Sequence, residues 1–319
     1  MAVARRAGPG ITREGGVLSR FLRVLTAVLV FAGLAVAAHS EDLAGDKRIA
    51  VTGADRTIDP AFAARAKHLN LKSSSALVVS QDSGHALYAK NTQAVVPIAS
   101  ITKLMTAMVT LDAKLGLDER VTISEADIDE IKNTRSRLKV GTTLPRGILL
   151  HLALMSSENR AAAALSRAYP GGHAAFVAAM NQKAIELGMW RTRFVDSTGL
   201  SSDNVSTAED LVKMVKAAYH YQPVRDFTTN AAHAVRLVNG RVLQYRNSNG
   251  LVKNPSWHIG LSKTGYISEA GRCLVMQAEI ASRPVVIVLL DSWGKKTRMG
   301  DANRIKKWIE SNSVRQPAG

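Results

Sequence analysis

Hydrophobic and polar positions follow one pattern at the two ends of the chain and another in its middle. Residues 75–91 contain two apolar runs around the turn sequence QDSG, which is typical of a β-hairpin. Residues 273–281 and 283–292 are short runs rich in Val, Ile and Leu, as expected of buried strands. Helical spacing of apolar residues occurs between these regions, over residues 97–116, 148–169, 173–189 and 206–221.

This order of elements predicts an α+β fold. Strands from both chain ends are expected to form one antiparallel sheet flanked by helices, with a mostly helical insertion over about residues 118–222. Local signals refine the pattern. Pro97 is expected to open a helix that Gly116 closes, and Ser206 with Glu209 matches a helix capping box. The dipeptide at 239–240 is Asn-Gly, which predicts a second hairpin.

The first 40 residues have the composition of an export signal. Five arginines precede an apolar run of 15 residues at 24–38, and small residues follow it. We therefore predict a signal peptide over residues 1–40 and a flexible N-terminal segment over 41–57. The alternative is an uncleaved N-terminal anchor. Later runs are too short to span a membrane, so the mature chain is expected in the periplasm without a transmembrane segment.

Charge and composition limit the classes of partner. The net charge is +16, which suits an anionic partner such as cell wall or lipid headgroups, although charge also promotes solubility. Peripheral association with the membrane or the wall is therefore expected. Aromatic residues are only 5% and no nucleic-acid-binding module is recognisable, so no nucleic-acid partner is predicted. The single cysteine, Cys273, is expected in the core, and the eight histidines lack ligand spacing, so no metal or cofactor is predicted.

A lone lysine in an apolar helix is the first candidate for chemistry. Lys103 is the one charged residue between positions 97 and 111, and it follows Ser100 by three places. Residues i and i+3 lie on one helix face, and burial lowers the pKa of a lysine enough for it to act as a base. The alternative is a core helix whose lysine extends to solvent. Ser-x-x-Lys also occurs at 136–139 and 292–295, in more charged surroundings.

Two further motifs support this interpretation. SEN at 157–159 places a hydroxyl and an amide where one predicted helix ends before the next begins. KTG at 263–265 lies in a predicted strand, where Lys263 supplies a positive charge and Thr264 a hydroxyl. Gly265 would let a ligand approach the backbone closely.

Together these motifs give the chain a family resemblance. Ser-x-x-Lys, Ser-x-Asn and Lys-Thr-Gly in this order are the signature set of penicillin-binding proteins and serine β-lactamases. The stretches PIASITKLMTAMV, LALMSSENRAA, DSTGL and LSKTGYI resemble the low-molecular-mass D-alanyl-D-alanine endopeptidases of the penicillin-binding protein 7 type, in peptidase family S11. The resemblance covers roughly residues 58–310. It implies a β-lactamase/D,D-peptidase-like fold and a catalytic domain over residues 58–319.

The resemblance also implies catalytic roles. Ser100 would be the nucleophile that forms an acyl-enzyme, and Lys103 the general base. Ser157 would relay a proton between the base and the leaving amine, and Asn159 would hold Lys103 and a substrate amide.

Residues of the predicted KTG strand would bind the substrate. Lys263 and Thr264 would hold its carboxylate end or tune the Ser157 hydroxyl. The backbone N–H groups of Ser100 and Tyr266 would form the oxyanion hole.

Two other features of the sequence resemble catalytic motifs of this family but are not assigned a catalytic role. SDN at 202–204 spells a form of the second motif, but a turn and helix cap is the preferred interpretation. Glu158 is expected to face solvent or to cap a helix. No counterpart of the additional glutamate of class A β-lactamases is found, which argues against a β-lactamase.

The function implied is that of a serine D,D-endopeptidase. It would cleave D-alanyl cross-links between peptidoglycan stem peptides, and β-lactam antibiotics would inhibit it covalently. The alternative is a D-alanyl-D-alanine carboxypeptidase that trims pentapeptide stems. A penicillin-recognising sensor is disfavoured, because a protein that only binds has no need for a nucleophile and its base.

Overall fold

The computed structural model describes residues 59, 60, 62, 66 and 68–313. The predicted signal peptide, the predicted segment 41–57 and residues 314–319 lie outside the described residues, and the predicted domain boundaries stay a prediction. Among the described residues, no helix combines the length and the apolar character needed to cross a bilayer.

The described chain alternates short strands with helices. Its strands are β1 Ser73–Ser80, β2 Ala86–Lys90, β3 Val96–Pro97, β4 Arg120–Thr122, β5 Thr143–Pro145, β6 Val205–Ser206, β7 Ala232–Arg236, β8 Val242–Arg246, β9 His258–Ile267, β10 Gly271–Ile280 and β11 Arg283–Ser292. Its α-helices are α1 Lys103–Asp112, α2 Arg146–Met155, α3 Asn159–Arg167, α4 Gly172–Glu186, α5 Ala208–Tyr219, α6 Gln222–Thr229 and α7 Thr297–Ser313. Single turns of 3-10 helix occur at Ala99–Thr102, Glu125–Asp127 and Gly250–Lys253.

One antiparallel sheet of five strands organises the fold, in the order β2-β1-β11-β10-β9. The first and last strands of the described chain therefore meet at its centre, where Val78 pairs with Ile287. This confirms the predicted sheet built from both chain ends. The hairpin predicted at Asn239 and Gly240 is also present, but its strands β7 and β8 form a separate two-stranded ribbon.

The sheet is buried on both faces, which explains the continuous apolar runs of its strands. Alternate residues of a strand point to opposite faces, so Leu274 and Val275 belong to different halves of the core. Helix α7 covers the Leu274 face with Ile305 and Ile309. Helices of the central region cover the Val275 face. Val275 pairs with Lys263, so the lysine of the KTG strand also points toward those helices.

The helix after Pro97 begins later than the sequence predicted. Pro97 forms part of β3 and pairs with Val205, and the helical turn starts at Ala99, which has φ +48°. Pairing with a strand from the far side of the central region holds Pro97 extended, which no local signal at Pro97 could show. The helix ends at Asp112 rather than at Gly116.

The cap of α5 also differs from the predicted one. Thr207, not Ser206, is the N-cap, and its side chain accepts a hydrogen bond from the backbone N–H of Asp210. Ser206 pairs with Val96 in the β3–β6 bridge. Glu209, the predicted partner in the capping box, instead accepts a hydrogen bond from the Thr92 hydroxyl at 2.7 Å.

Candidate active site

The Ser-x-x-Lys pair lies at the junction between a 3-10 turn and helix α1. Ser100 is the second residue of the turn Ala99–Thr102, and Lys103 is the first residue of α1. The Lys103 ammonium nitrogen Nζ lies 2.8 Å from the Ser100 hydroxyl oxygen Oγ. Ser100 therefore presents its hydroxyl near the start of a helical segment, where backbone N–H groups lack helical partners.

Lys103 is completely buried and surrounded by acceptors. Besides the Ser100 hydroxyl, its Nζ donates to the side-chain oxygen of Asn159 at 2.7 Å and to the backbone carbonyl of Thr198 at 2.6 Å. An ammonium group has three protons, so these three contacts use all of them. The geometry holds the nitrogen in one position beside the Ser100 hydroxyl.

Burial also changes the acidity of Lys103. Loss of hydration lowers its pKa to about 7, because the charged form cannot be solvated in the interior. The negative charges of Asp196, Glu158 and Asp129 oppose this shift. Near neutral pH a large fraction of Lys103 is therefore unprotonated and able to accept a proton.

A second buried lysine lies on the opposite wall. Lys263 is 1% exposed, and its Nζ donates to the Ser157 hydroxyl at 2.9 Å and to the Thr264 carbonyl at 3.0 Å. Its pKa lies well below the ordinary value of 10.5, because of burial and the nearby positive charges of Lys103 and Arg298. Ser157 itself has φ +63°, a conformation that L-residues adopt rarely and that is frequent at functional sites.

These groups face a cleft of about 450 Å³. Ser100 lies in it, and the turn carrying Ser157 and Asn159 borders one side. The end of strand β9, from Thr264 to Ile267, borders the other side together with Ser268. The structure thus brings the predicted residues to one cleft in two groups of hydrogen bonds. Lys103 holds Ser100 and Asn159, and Lys263 holds Ser157 and the Thr264 carbonyl.

Gly265 and Tyr266 complete the β9 wall. A Cβ atom at Gly265 would lie 2.9 Å from the carbonyl oxygen of Ile98 and 3.1 Å from the Ser100 nitrogen, so only glycine lets β9 pass this close to Ser100. The Tyr266 side chain is 55% exposed, and the Arg272 guanidinium lies 4.3 Å from its ring centroid. The backbone of Tyr266, one residue beyond Gly265, therefore runs next to the Ser100 turn.

A loop over residues 195–204, to which no catalytic role was assigned from the sequence, forms part of the site. The Thr198 carbonyl in this loop accepts the hydrogen bond from Lys103. One carboxylate oxygen of Asp196 accepts hydrogen bonds from the backbone N–H groups of Thr198 at 2.5 Å and Gly199 at 2.7 Å. Asp followed by Ser, Thr and Gly is a turn signal, and this pattern was the indication in the sequence that an ordered turn forms here.

Asn204 of the SDN stretch stabilises this loop through hydrogen bonds within it. The Asn204 side chain is fully buried and donates to the other carboxylate oxygen of Asp196 at 2.7 Å, while its own oxygen accepts from the Val195 N–H at 2.7 Å. SDN is therefore a turn within the loop, although the cap of the following helix is Thr207 and not a residue of this motif.

Two more residues at the cleft were not predicted. Arg298 is 8% exposed, lines the cleft, and donates from Nη1 to the Gly265 carbonyl at 2.7 Å. The Thr264 hydroxyl donates to the Ser248 hydroxyl at 2.7 Å. Ser248 lies in the polar stretch before β9, for which the sequence favoured an ordinary loop. No local sequence signal distinguishes Arg298 from the other charged residues of the lysine-rich C-terminal segment.

The expectation that Glu158 faces solvent was wrong, and its side chain does not cap a helix either. Glu158 occupies the N-cap position of α3, but its side chain makes no capping hydrogen bond and it is only 9% exposed. Glu158 directly follows Ser157, which adopts the left-handed conformation in the turn between α2 and α3.

Comparison with protein families agrees with this geometry. The model of the peptidase S11 family, described as D-alanyl-D-alanine carboxypeptidase, matches residues 61–294. The chain belongs to peptidase family S11. A curated relative of this S11 chain, the D-alanyl-D-alanine endopeptidase of Pseudomonas aeruginosa, is 49% identical over 245 residues, which is 76% of this chain and 79% of the relative.

Solved structures confirm the fold class. The Streptomyces K15 DD-transpeptidase is similar with a TM-score of 0.70 and 29% identity, covering 75% of this chain and 97% of that one. Penicillin-binding protein D2 from Listeria monocytogenes, solved in an ampicillin-bound form, has a TM-score of 0.65 and 30% identity, covering 75% and 98%. The S11 chain therefore has the predicted α+β, D,D-peptidase-like fold and is a peptidase.

Proposed function

We propose that this S11 peptidase is a serine D,D-endopeptidase that cleaves D-alanyl cross-links in peptidoglycan, and that penicillins acylate the same serine. The contact between Lys103 Nζ and Ser100 Oγ carries the proposal, because it joins a nucleophile to a base whose pKa is close to neutral. The name of the Pseudomonas relative supports the endopeptidase activity. The family description favours the alternative, a D-alanyl-D-alanine carboxypeptidase.

Acylation begins with proton transfer from Ser100 to Lys103. The Ser100 oxygen then attacks the D-alanyl carbonyl carbon and forms a tetrahedral intermediate, whose oxygen carries the negative charge. The backbone N–H groups of Ser100 and Tyr266 donate to that oxygen. Gly265 keeps these two donors near each other by letting β9 approach the Ser100 turn.

Collapse of the intermediate breaks the bond to the leaving amine, which must gain a proton. Ser157 can donate it, because its hydroxyl faces the cleft and is held by Lys263 at 2.9 Å. The proton lost from Ser157 is replaced from Lys103. Asn159 keeps Lys103 in position through their 2.7 Å contact. Water then attacks the ester carbon and gives a proton to Lys103. As the bond between that carbon and the Ser100 oxygen breaks, Lys103 returns the proton to Ser100, which restores both groups and releases the product acid.

The β9 wall is suited to a carboxylate on the leaving side. Lys263, Thr264 and the cleft-lining Arg298 gather there, and repulsion by the Arg298 charge contributes, after burial and Lys103, to the lowered pKa of Lys263. An incoming carboxylate relieves this repulsion and restores the charge on Lys263. The leaving residue in a cross-link and the terminal D-alanine of a pentapeptide both carry such a carboxylate, so this wall serves either activity.

We propose that the enzyme acts in the periplasm, where its proposed substrate lies. Residues 1–40 act in this proposal as the export signal. The positive charge of the exported chain favours peripheral contact with anionic wall or membrane components.

Product analysis tests the proposed function. Purified protein is incubated with cross-linked muropeptide dimers and, separately, with monomeric pentapeptide, and products are identified by mass spectrometry. We expect dimers to be converted to monomers and pentapeptide to remain intact, with Ser100→Ala inactive on both. Loss of one alanine from pentapeptide with dimers unchanged would establish the carboxypeptidase instead.

The rate should depend on pH through Lys103. Since the unprotonated amine is the active form and its pKa is about 7, kcat/KM should rise with pH up to about 7 and then level off. Below that value it should fall by about tenfold per pH unit. Initial rates on the dimer from about pH 5 to 9 measure this, with circular dichroism at each pH as the control for folding. A flat profile would contradict a lysine base.

A further inference from the structure

A groove of about 530 Å³ lies between two surface turns outside the catalytic cleft. The turn over residues 139–142 is closed by a backbone hydrogen bond of 3.0 Å between its end residues. The turn over residues 237–240, at the tip of the β7–β8 ribbon, is closed by one of 2.9 Å. These two turns, with the flanking residues Arg137 and Arg241, are termed the two-turn surface.

Each of the two turns exposes a valine to water. Val238 is 89% exposed, more than any other large hydrophobic residue of the described chain, and Val140 is 45% exposed. Val242, at the start of β8, is 40% exposed. The centre of a turn is normally occupied by Gly, Asn, Asp, Pro or Ser, and none of the three valines belongs to the core. Exposed apolar side chains that cluster in this way are typical of an interaction site.

The charged residues of the two-turn surface all carry the same sign. Arg137, Lys139 and Arg241 line the groove, and no acidic residue of the described chain does. None of these three cations forms a salt bridge with a carboxylate of the described residues. The exposed Arg120 adds a fourth positive charge nearby, since its guanidinium donates to the carbonyl of the groove residue Thr143 at 3.4 Å. The groove therefore suits an anionic partner.

The combination of exposed valines and cations favours a bilayer as that partner. Segments that lie on membranes bury apolar side chains at the boundary between headgroups and acyl chains, while their basic residues meet anionic headgroups. Val140 directly follows Lys139, and Val238 lies three residues before Arg241. A dissolved polyanion would use the cations and leave the valines in water. A fluid bilayer accommodates two separate turns, whereas the surface of a protein partner would have to be shaped to both.

We propose that the two-turn surface binds a membrane that contains anionic phospholipids, with Val140 and Val238 entering the headgroup boundary. This inference rests on the peripheral contact stated with the proposed function and is independent of the catalytic steps. The chain leading into the first turn also borders the active site, where the Thr134 hydroxyl accepts a hydrogen bond from the Asn159 side chain at 2.9 Å. Membrane contact would therefore hold the peptidase cleft near the bilayer.

A fluorescent label at the tip of the second turn tests its entry into the bilayer. Cys273 is the single cysteine of the chain and is fully buried, so a polarity-sensitive fluorophore on Val238→Cys reports on the tip alone. We expect its emission to shift to the blue with vesicles of phosphatidylcholine and phosphatidylglycerol, and not with phosphatidylcholine alone. The same label on Asp82→Cys, in the exposed β1–β2 turn, is the matched control and should not respond. An unchanged label at position 238 on the anionic vesicles would overturn the proposal, whether or not the protein binds them.

Sedimentation with the same vesicles measures the contribution of the charges. A triple variant combines Arg137→Gln, Lys139→Gln and Arg241→Gln. It should bind the anionic vesicles about 100-fold more weakly, because each basic side chain near an anionic surface contributes about fivefold to the affinity. Every variant keeps the same N-terminus, so any contribution of residues 1–40 is common to all of them.

The matched control removes the same charge from another surface. It combines Lys295→Gln, Lys296→Gln and Lys307→Gln, which replace three exposed lysines. This control should lose less than about threefold in vesicle affinity, since charges beyond the screening length contribute little. Equal losses in the two triple variants would refute the assignment to the two-turn surface. Penicillin acylation should stay within about twofold in both variants, and a wild-type protein that penicillin does not label would refute the proposed function alone.

Discussion

Replacing Lys103 with arginine is expected to lower kcat/KM on cross-linked dimers by about 10³- to 10⁴-fold, the scale of a lost general base. Arginine keeps the positive charge but cannot be deprotonated in a protein, so it cannot accept the Ser100 proton. Its larger planar group also cannot reproduce the three contacts that fill the site of Lys103. Steady-state rates on the dimer and the rate of penicillin acylation measure the effect.

The matched control is Lys139→Arg. Lys139 belongs to a competing Ser-x-x-Lys match at 136–139 but is exposed, so this change should leave both rates within about twofold, as for surface substitutions that make no special contacts. Retention of more than a tenth of the wild-type acylation rate by Lys103→Arg would mean that another group is the base. Equal losses in both variants would point to a general effect of the added guanidinium.

Gly199→Ala is expected to damage both stability and activity. Gly199 has φ +78°, and a Cβ atom there would lie 2.0 Å from the Ala99 carbonyl oxygen and 2.9 Å from the Ser100 nitrogen. The left-handed conformation costs about 1–2 kcal/mol for alanine, and the clash adds about 1–3 kcal/mol. Relief of the clash moves Ser100, and a displacement near 1 Å at a reacting group lowers the rate by about 100-fold. Thermal unfolding and penicillin acylation measure the two losses.

The variant Gly240→Ala distinguishes the effect of backbone strain from the effect of a steric clash. Gly240 has the same φ of +78° in the β7–β8 turn, but nothing lies within 4 Å of a Cβ atom built there. It should therefore lose only the conformational contribution of about 1–2 kcal/mol and retain its acylation rate. If Gly199→Ala is no more harmful than Gly240→Ala, the close packing of the loop against the Ser100 turn does not matter for catalysis.

The two buried lysines explain why the site depends on exact packing. Lys103 and Lys263 are both nearly inaccessible, and the positive charge of Lys103 contributes to the lowered pKa of Lys263. Charged groups in such surroundings are tolerated when hydrogen bonds surround them. Asn159 and Thr198 supply these for Lys103, and Ser157 with the Thr264 carbonyl supply them for Lys263.

Sequence reasoning was most successful where the interaction is local. The hairpin at Asn239 and Gly240 and the helix break at SEN depend on turn chemistry within a few residues, and both are present. The proximity of Ser100 and Lys103 follows from their spacing on a helical segment. The same reasoning failed at Pro97, whose conformation is set by pairing with Val205.

By itself the sequence determined the order of strands and helices and the three short motifs, because periodicity and turn residues act along neighbouring positions. Only the tertiary structure decided which groups meet. Lys103 reaches Asn159 across 56 positions and Ser157 meets Lys263 across 106. It also decided that both lysines lose their water, that Thr198 and Arg298 join the site, and that Glu158 turns inward. Burial and long-range packing set these properties, since desolvation depends on every element that surrounds a group and not on its neighbours in the chain.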